Sequence, residues 1–239
     1  NEVGTIQPLA EGATIVRERA PQAVLHTDAV QAVPWLDVTG AAAPADLVSV
    51  SAHKFGGPKG TGVLVVRDGV ALRPLLVGGG QERGLRAGTV DVAGAVAMTA
   101  AFQATHESRD ADVARVRMLR DRLQRGLQES LPEVFVNGDL ERKVAGNCHL
   151  RFEGVEAEAL LVALDLAGVC AAAGSSCASG ALEPSHVLLA MGLTREEARA
   201  SVRFSLGFAS SDADVDLALE VVPEVVTRLR RAPAAALSR

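Results

Sequence analysis

The first half of the chain alternates helical and strand-like stretches. Residues 9–20 follow a helical pattern, and Pro21 ends it. Three short β-rich runs come next, each leading into polar residues or a turn: "AVLHTDAVQ", "DLVSVSAHK" and "GVLVVRDGV". A glycine-rich loop, "VGGGQERGLRAGTVDVAG", leads to a helix predicted in "VDVAGAVAMTAAFQATHE". A helix that feeds a strand is typical of an α/β fold.

The second half has the pattern of a smaller α+β unit. A charged amphipathic helix is predicted over residues 109–130. One face of it carries Val113, Val116, Leu119, Leu123 and Leu127. We place a domain boundary near its start, which gives domains of residues 1–107 and 108–239. Strands are predicted in "NCHLRFEGV", "VCAAAGSSC" and "SVRFSLG", and helices in "EAEALLVALDLAG", "PSHVLLAMG" and "SDADVDLALEVVPEVVTRLRR".

Composition narrows the class of protein. The chain has 239 residues, of which 48% are hydrophobic, so a sizeable core is expected. The net charge of −5 and the lack of a basic stripe argue against nucleic acid as a ligand. No apolar run approaches a membrane span, and no signal peptide is recognisable, so we expect neither a membrane partner nor export.

The three cysteines point to a reducing compartment. Cys148, Cys170 and Cys177 are odd in number and lack the spacing of a metal site, which favours the cytoplasm and predicts no metal. Cys170 lies in an apolar run and is expected to be buried, and Cys148 is expected to be structural. Only Cys177, in the Gly/Ser-rich "AAAGSSCASGALEPS", has the setting of a reactive thiol.

Lysine is rare here, and two of the three lysines stand in "SAHKFGGPKGTG". Lys54 follows an apolar strand with no carboxylate within seven residues on either side, so burial is expected to favour its neutral amine. A neutral amine can form a Schiff base with an aldehyde, which arginine cannot do. Ser51 and His53 beside it suit a phosphate site. Lys59 is interpreted as a structural turn residue, and a solvated loop lysine remains the alternative for Lys54.

Two further charged residues complete the candidate chemistry. Asp28 stands at the end of a predicted strand. There it could hold a proton on the nitrogen of a heteroaromatic ring, with Gln31 beside the ring. Equally, Asp28 could cap the turn that follows the strand. Arg203 alternates with apolar residues in "SVRFSLG" and could pair with an acid or bind a substrate carboxylate. Together with Lys54 and Cys177, these residues suit pyridoxal phosphate (PLP) chemistry on an amino acid, with sulfur passed to a thiol.

The ordered motifs resemble the cysteine desulfurases of the class V aminotransferase group. The matching stretches are "NEVGTIQP", "HTDAVQ", "SAHKFGGPKGTGVLVVR", "GGGQERGLRAGT", "GSSCASGALEPSHVLLAMGL" and "SVRFSLG". The resemblance implies the α/β architecture called fold type I of PLP-dependent transferases, with part of the large mixed-sheet domain followed by a small α+β domain. It also implies that the chain corresponds to the carboxy-terminal part of such an enzyme, because the family has a substantial segment before the position of Asn1.

The resemblance implies these roles for the cofactor side of the site. Lys54 would anchor PLP covalently and later move protons. Asp28 would pair with the pyridine nitrogen, and Gln31 would bond to the ring hydroxyl. Ser51 and His53 would bind the phosphate.

The same resemblance implies a substrate side and partners. Arg203 would bind the carboxylate of L-cysteine, with Asn1 near both cofactor and substrate. Thr89 would reach the phosphate of the other subunit in a homodimer. Cys177 would take the sulfur as a persulfide, release L-alanine and hand the sulfur to an acceptor such as an iron–sulfur scaffold protein. The alternatives are a lyase acting on selenocysteine or cysteine sulfinate, and a catalytically silent fragment.

Overall fold

The computed structural model describes residues 1–174 and 183–231. Its contacts divide the chain into two compact units. We call Gln7–Asp110 the mixed-sheet unit, and Asn1–Ile6 with Ala111–Arg239 the antiparallel-sheet unit. The division after Asp110 falls near the boundary expected after residue 107, while the grouping of Asn1–Ile6 with the later residues was not part of that expectation.

The mixed-sheet unit is built around three strands. In chain order its elements are α1 (Leu9–Arg19), β1 (His26–Asp28), α2 (Val38–Ala41), β2 (Leu47–Ser51), a 3₁₀ turn (Ala52–Phe55), β3 (Gly62–Val66), a second 3₁₀ turn (Glu82–Gly84) and the first part of α3 (Val92–Ser130). The predicted helix over residues 9–20 and the three predicted strands are confirmed. β1 pairs with β2 in parallel, and β2 pairs with β3 antiparallel.

A small apolar cluster anchors the turn after β2. Val33, Ala52, Phe55 and Met98 are buried together. The ring of Phe55 also meets that of Phe102 edge to face, with 6.0 Å between the centroids. The residues that follow β2 are therefore tied to α3 by packing.

Helix α3 differs from the prediction. Two helices were expected, one ending near residue 107 and one beginning near residue 109, but a single helix runs over Val92–Ser130. The reason is local, because the junction "ESRD" contains neither proline nor glycine and all four residues tolerate a helix.

The antiparallel-sheet unit consists of a three-stranded sheet and the helices that surround it. Its elements are the second part of α3, β4 (Val134–Val136), β5 (Asn147–Phe152), α4 (Ala157–Leu166), α5 (His186–Ala190), α6 (Arg195–Arg199), β6 (Ser201–Ser205) and α7 (Asp212–Arg231). The sheet order is β4–β5–β6, and both pairings are antiparallel. The predicted strand in "VCAAAGSSC" is wrong for its described part, which forms only an isolated bridge between Ala172 and Arg203.

The two faces of this sheet differ in chemistry. Alternate residues of β5 point to opposite faces. Cys148, Leu150 and Phe152 enter a core with side chains of α3, α4 and α7. The other face carries Asn147 and His149, which are buried polar side chains.

Among the described residues there is neither a membrane-spanning helix nor a cluster of metal-binding side chains. None of the helices in the described residues is both long and apolar enough to cross a membrane. Within the same residues, no three or more His, Cys, Asp or Glu side chains are grouped so that they could hold a metal ion.

Candidate active site

The carboxyl ends of β1 and β2 bring several candidate side chains to one edge of the mixed sheet. The two strands are parallel, and Asp28 lies opposite Ser49. The edge at the carboxyl ends of such strands is where α/β folds bind ligands. Asp28 ends β1 there, and β2 runs through Ser51 into the turn that carries Lys54.

The turn after β2 exposes its polar residues because its apolar ones are buried. Residues i and i+3 of a 3₁₀ helix lie on the same side. Ala52 and Phe55 are the buried pair, so His53 and Lys54 between them face solvent. Gly56 ends the turn with a φ of +87°, a left-handed conformation that favours glycine.

The expected burial of Lys54 is therefore wrong for this chain, because the residue is exposed. The apolar strand before Lys54 suggested that its side chain would be buried. The side chains that the turn buries are instead those of Ala52 and Phe55. The turn therefore holds Lys54 in an exposed position at the edge of the sheet, next to the end of β2.

Ser51 and His53, which precede Lys54 in the sequence, form a hydrogen-bonded pair. The Oγ of Ser51 lies 2.7 Å from Nδ1 of His53. The hydrogen bond ties the imidazole ring to Ser51, the last residue of β2. A hydroxyl and an imidazole held together in this way can donate hydrogen bonds to an anion such as a phosphate group.

Asp28 has one oxygen engaged locally. Its Oδ1 accepts a hydrogen bond of 2.9 Å from the backbone N–H of Val30, so it does cap the following turn, as one alternative held. The residue as a whole is exposed. Gln31 is half-buried three residues further on, and Thr89 is exposed just before α3.

Arg203 is the candidate on β6. It is 8% exposed, and its Nε donates to Oγ of Ser205 over 3.1 Å. Its Nη1 donates over 3.4 Å to the backbone carbonyl of Asn1. Burial lowers the pKa of the Arg203 guanidinium, and the negative charge of Glu2 opposes that shift. The structure thus brings together Asn1 and Arg203, two of the predicted substrate residues.

Sequence reasoning missed the polar network around Arg203. Asn137 Nδ2 donates to Nδ1 of His149 over 3.1 Å and to Oγ of Ser201 over 3.0 Å. Burial, followed by the charges of Lys143 and Arg203, lowers the pKa of His149 to about 3. The polar and apolar alternation of "NCHLRF" was the available signal, since it marks a strand with two different buried faces.

The cysteines divide differently from the prediction. Cys170 is exposed, so its expected burial is wrong, because it lies just past the helix α4 rather than within a packed strand. Cys148 is fully buried, and burial raises its thiol pKa to about 12. Cys177 lies outside the described residues.

A family model for class-V aminotransferases matches residues 1–218. The chain belongs to this family. An IscS-like cysteine desulfurase of Mycobacterium tuberculosis is 47% identical to this family member over 237 residues, which are 99% of the chain and 60% of the relative. A cysteine desulfurase IscS of Clostridium botulinum is 43% identical over 232 residues, covering 96% of the chain and 58% of the relative. The chain therefore spans at most 60% of the length of these curated relatives.

Solved structures agree on the fold of this class-V chain. A NifS-like protein superposes with a TM-score of 0.85 at 32% identity, over 95% of the chain and 59% of that protein. A NifS-like protein from Rickettsia africae gives 0.83 at 26% identity, with the same two coverages. The predicted α/β fold of the fold type I class, with a mixed sheet and a smaller α+β part, is confirmed.

Proposed function

We propose that this chain acts, as part of a PLP-dependent cysteine desulfurase, in converting L-cysteine to L-alanine with transfer of the sulfur to Cys177. Relatives of that name are 43% and 47% identical over nearly the whole chain. Enzymes of this fold class depend on PLP in general. One observation carries the proposal: the exposed turn presents Lys54 beside the bonded Ser51–His53 pair, at the sheet edge where Asp28 ends β1.

The residues of this edge fit the cofactor. The amine of Lys54 would bind it covalently, since it is exposed and is the nucleophile that an aldehyde requires. Ser51 and His53 would hold its phosphate, and Asp28 would keep a proton on its ring nitrogen, with Gln31 at the ring hydroxyl. When bound, PLP supplies a ring system that withdraws electrons from the substrate's Cα.

The antiparallel-sheet unit would supply the substrate side. Arg203 would bind the carboxylate of L-cysteine, with Asn1 next to it. The amine of Lys54 would accept the Cα proton and deliver a proton to Cβ. The Cβ–S bond breaks as an S–S bond to Sγ of Cys177 forms. L-Cysteine and a thiol thereby become L-alanine and a persulfide, with no external oxidant.

Further partners follow from the same proposal. The enzyme would be a cytoplasmic homodimer in which Thr89 reaches the cofactor phosphate of the other subunit. The persulfide on Cys177 would pass to a sulfur-acceptor protein, such as an iron–sulfur scaffold.

The two neighbouring lysines provide a matched test. PLP is added to the chain, and the visible absorbance of lysine-bound cofactor and the alanine formed from L-cysteine with a thiol reductant are measured. Lys54→Arg keeps the charge but not the reactive amine, so it should lose both signals. Lys59→Arg, five residues away and also exposed, should keep both.

Three outcomes would contradict the proposal. A visible band that persists in Lys54→Arg would place the anchor at another lysine. No band in the unmodified chain would instead favour the silent fragment. Selenide released from selenocysteine together with no sulfide from cysteine would favour the related lyase.

A further inference from the structure

A second pair of a serine and a histidine lies on the mixed sheet, and the proposed function does not use it. Nε2 of His26 lies 2.8 Å from Oγ of Ser49. His26 is the first residue of β1 and Ser49 lies within β2, so the hydrogen bond joins the two strands through their side chains. Ser49 and Ser51 are two residues apart in β2 and therefore share one face of the sheet. That face carries two hydroxyl groups, each bonded to an imidazole ring.

Ser49 is bonded to β1 on both sides of Asp28. The register of the parallel strands places Ser49 opposite Asp28. The hydroxyl of Ser49 meets His26, two residues before Asp28, and its backbone carbonyl accepts a hydrogen bond of 2.9 Å from the N–H of Ala29, the residue after Asp28. Strand β1 has only three residues, so few backbone hydrogen bonds hold it to β2. The position of Asp28 therefore depends strongly on its contacts with Ser49.

The carboxylate of Asp28 is also oriented from the side of the following turn. Its Oδ1 accepts the hydrogen bond of 2.9 Å from the backbone N–H of Val30. This bond occupies Oδ1 and leaves Oδ2 for a further donor, which in the proposed function is the protonated ring nitrogen of the cofactor. The direction in which Oδ2 points depends on where the backbone of Asp28 lies, and hence on the bonds that Ser49 makes.

The neighbours of the pair on this face argue against a merely solvated polar surface. Leu47 lies opposite His26 in the register, and Leu64 of β3 lies opposite Ser49. Residues that are opposite each other on neighbouring strands share a face, so both leucines are on the face of the pair. A solvated face would carry polar side chains at these positions as well. The pair stands where the apolar part of the face ends and Asp28 begins the polar part.

We propose that His26 and Ser49 are positioning residues for Asp28. The hydrogen bond between them sets the direction in which Asp28 presents its carboxylate to the ring nitrogen of PLP. The inference rests on the proposed function, because it concerns the Asp28 side of that cofactor site. A group of this kind must be held within about 0.5 Å of its productive position. A displaced carboxylate would hold the ring proton less well, and the ring would withdraw less electron density from the substrate.

The test compares two cofactors that differ at one ring position. PLP and its deaza analogue, in which a C–H group replaces the ring nitrogen, have the same aldehyde and the same phosphate. The ratio of their dissociation constants therefore measures the contribution of the ring nitrogen alone. On the unmodified chain we expect PLP to bind at least about tenfold more tightly, the size of one hydrogen bond to a charged group.

Variants of the pair should reduce this preference without changing the affinity for the deaza analogue. His26→Leu and Ser49→Ala each remove one partner of the hydrogen bond, and each should reduce the preference for PLP by about three- to tenfold. The double variant should lose no more than either single variant, because all three lack the same bond. His26→Gln, whose amide nitrogen can take the place of Nε2, should keep most of the preference.

Ser51→Ala is the matched control, because it removes the other hydroxyl on the same face of β2. It should weaken both cofactors by the same factor, since both carry the phosphate, and leave the preference unchanged. A His26→Leu chain with an unchanged preference would overturn the positioning role. Equal weakening of both cofactors in that chain would also overturn it and would show that the pair only stabilises the sheet. If Ser49→Ala does not fold, His26→Leu, which changes an exposed residue, still decides.

These outcomes differ from a failure of the proposed function. A chain that binds and prefers PLP but is indifferent to the changes at His26 loses the positioning role alone. A chain whose preference depends on His26 but which forms no alanine from L-cysteine keeps the positioning role and loses the desulfurase proposal. An unmodified chain that binds neither cofactor would overturn both.

Discussion

The side-chain amide of Asn147 donates a hydrogen bond of 2.8 Å to the backbone carbonyl of Glu2, a residue 145 positions earlier in the chain. This bond attaches the first residues of the chain to β5. Thr5 extends the attachment through an antiparallel bridge to Lys143. The position of Asn1 and Glu2 beside Arg203 depends on these distant contacts.

Gly4 is expected to be indispensable for this attachment. Gly4→Ala meets a φ of +79° and the side chain of Asn147 at 2.6 Å, so the free energy of unfolding should fall by about 2 to 4 kcal/mol. Gly168→Ala is the matched control, with a φ of +83° but open space around it, and should cost about 1 kcal/mol. Urea unfolding of both variants measures the difference. Equal losses would show that the close contact with Asn147 is unimportant.

The buried His149 should make the chain sensitive to acid. Its pKa is lowered from 6.5 to about 3, so the folded protein keeps the ring neutral while the unfolded chain takes up a proton. The stabilising contribution of neutral His149 to the free energy of unfolding is therefore fully present at a pH above the pKa of histidine in the unfolded chain. As the pH falls from there towards the folded pKa, it is lost at about 1.4 kcal/mol per pH unit.

Variants separate the contribution of His149 to the pH dependence of stability from the contributions of carboxylates, which titrate in a neighbouring pH range. His149→Gln should have a shallower dependence of unfolding free energy on pH between about 6 and 4. His186→Gln, which changes an exposed histidine, should keep the original slope. A His149→Gln chain with an unchanged slope would contradict the assignment.

Thiol labelling should distinguish the two described cysteines. Under native conditions iodoacetamide should modify the exposed Cys170 and spare Cys148, which is fully buried with a pKa raised to about 12. Peptide mass spectrometry identifies each site. Denaturation should make Cys148 reactive, and native labelling of Cys148 would argue against its place in the core.

The proposed role of Cys177 can be tested against Cys170, the exposed cysteine seven residues earlier. Cys177→Ser should bind PLP normally but form alanine at less than about one hundredth of the original rate, because no thiol receives the sulfur. Cys170→Ser should keep most of the activity. Normal alanine formation by Cys177→Ser would remove the persulfide step from the proposal.

Local pattern was enough to predict much of the fold. The helix α1, the strand β2 and the helix α7 follow from periodicity and from stop and cap residues near their ends. The continuity of α3 could not be predicted in this way. The polar junction near residue 108 resembled a boundary between two helices, although no residue in it stops a helix.

The site was harder to predict, because its details depend on packing. The exposure of Lys54 follows from which side of the turn Ala52 and Phe55 bury, and the apolar strand before it gave the wrong expectation. The burial of Glu2 could not be inferred from its neighbours in sequence. It depends on Asn147 and Arg203, which lie far along the chain.

The division of the chain also constrains the order of events during synthesis. Asn1–Ile6 are translated before the mixed-sheet unit, whereas the strands they attach to come after Asp110. At the usual rate of translation, those six residues wait roughly 7 to 30 seconds for β5 to be made. Until then the mixed-sheet unit is free to fold on the ribosome, while the surroundings of Glu2 and Arg203 form only once β6 has emerged.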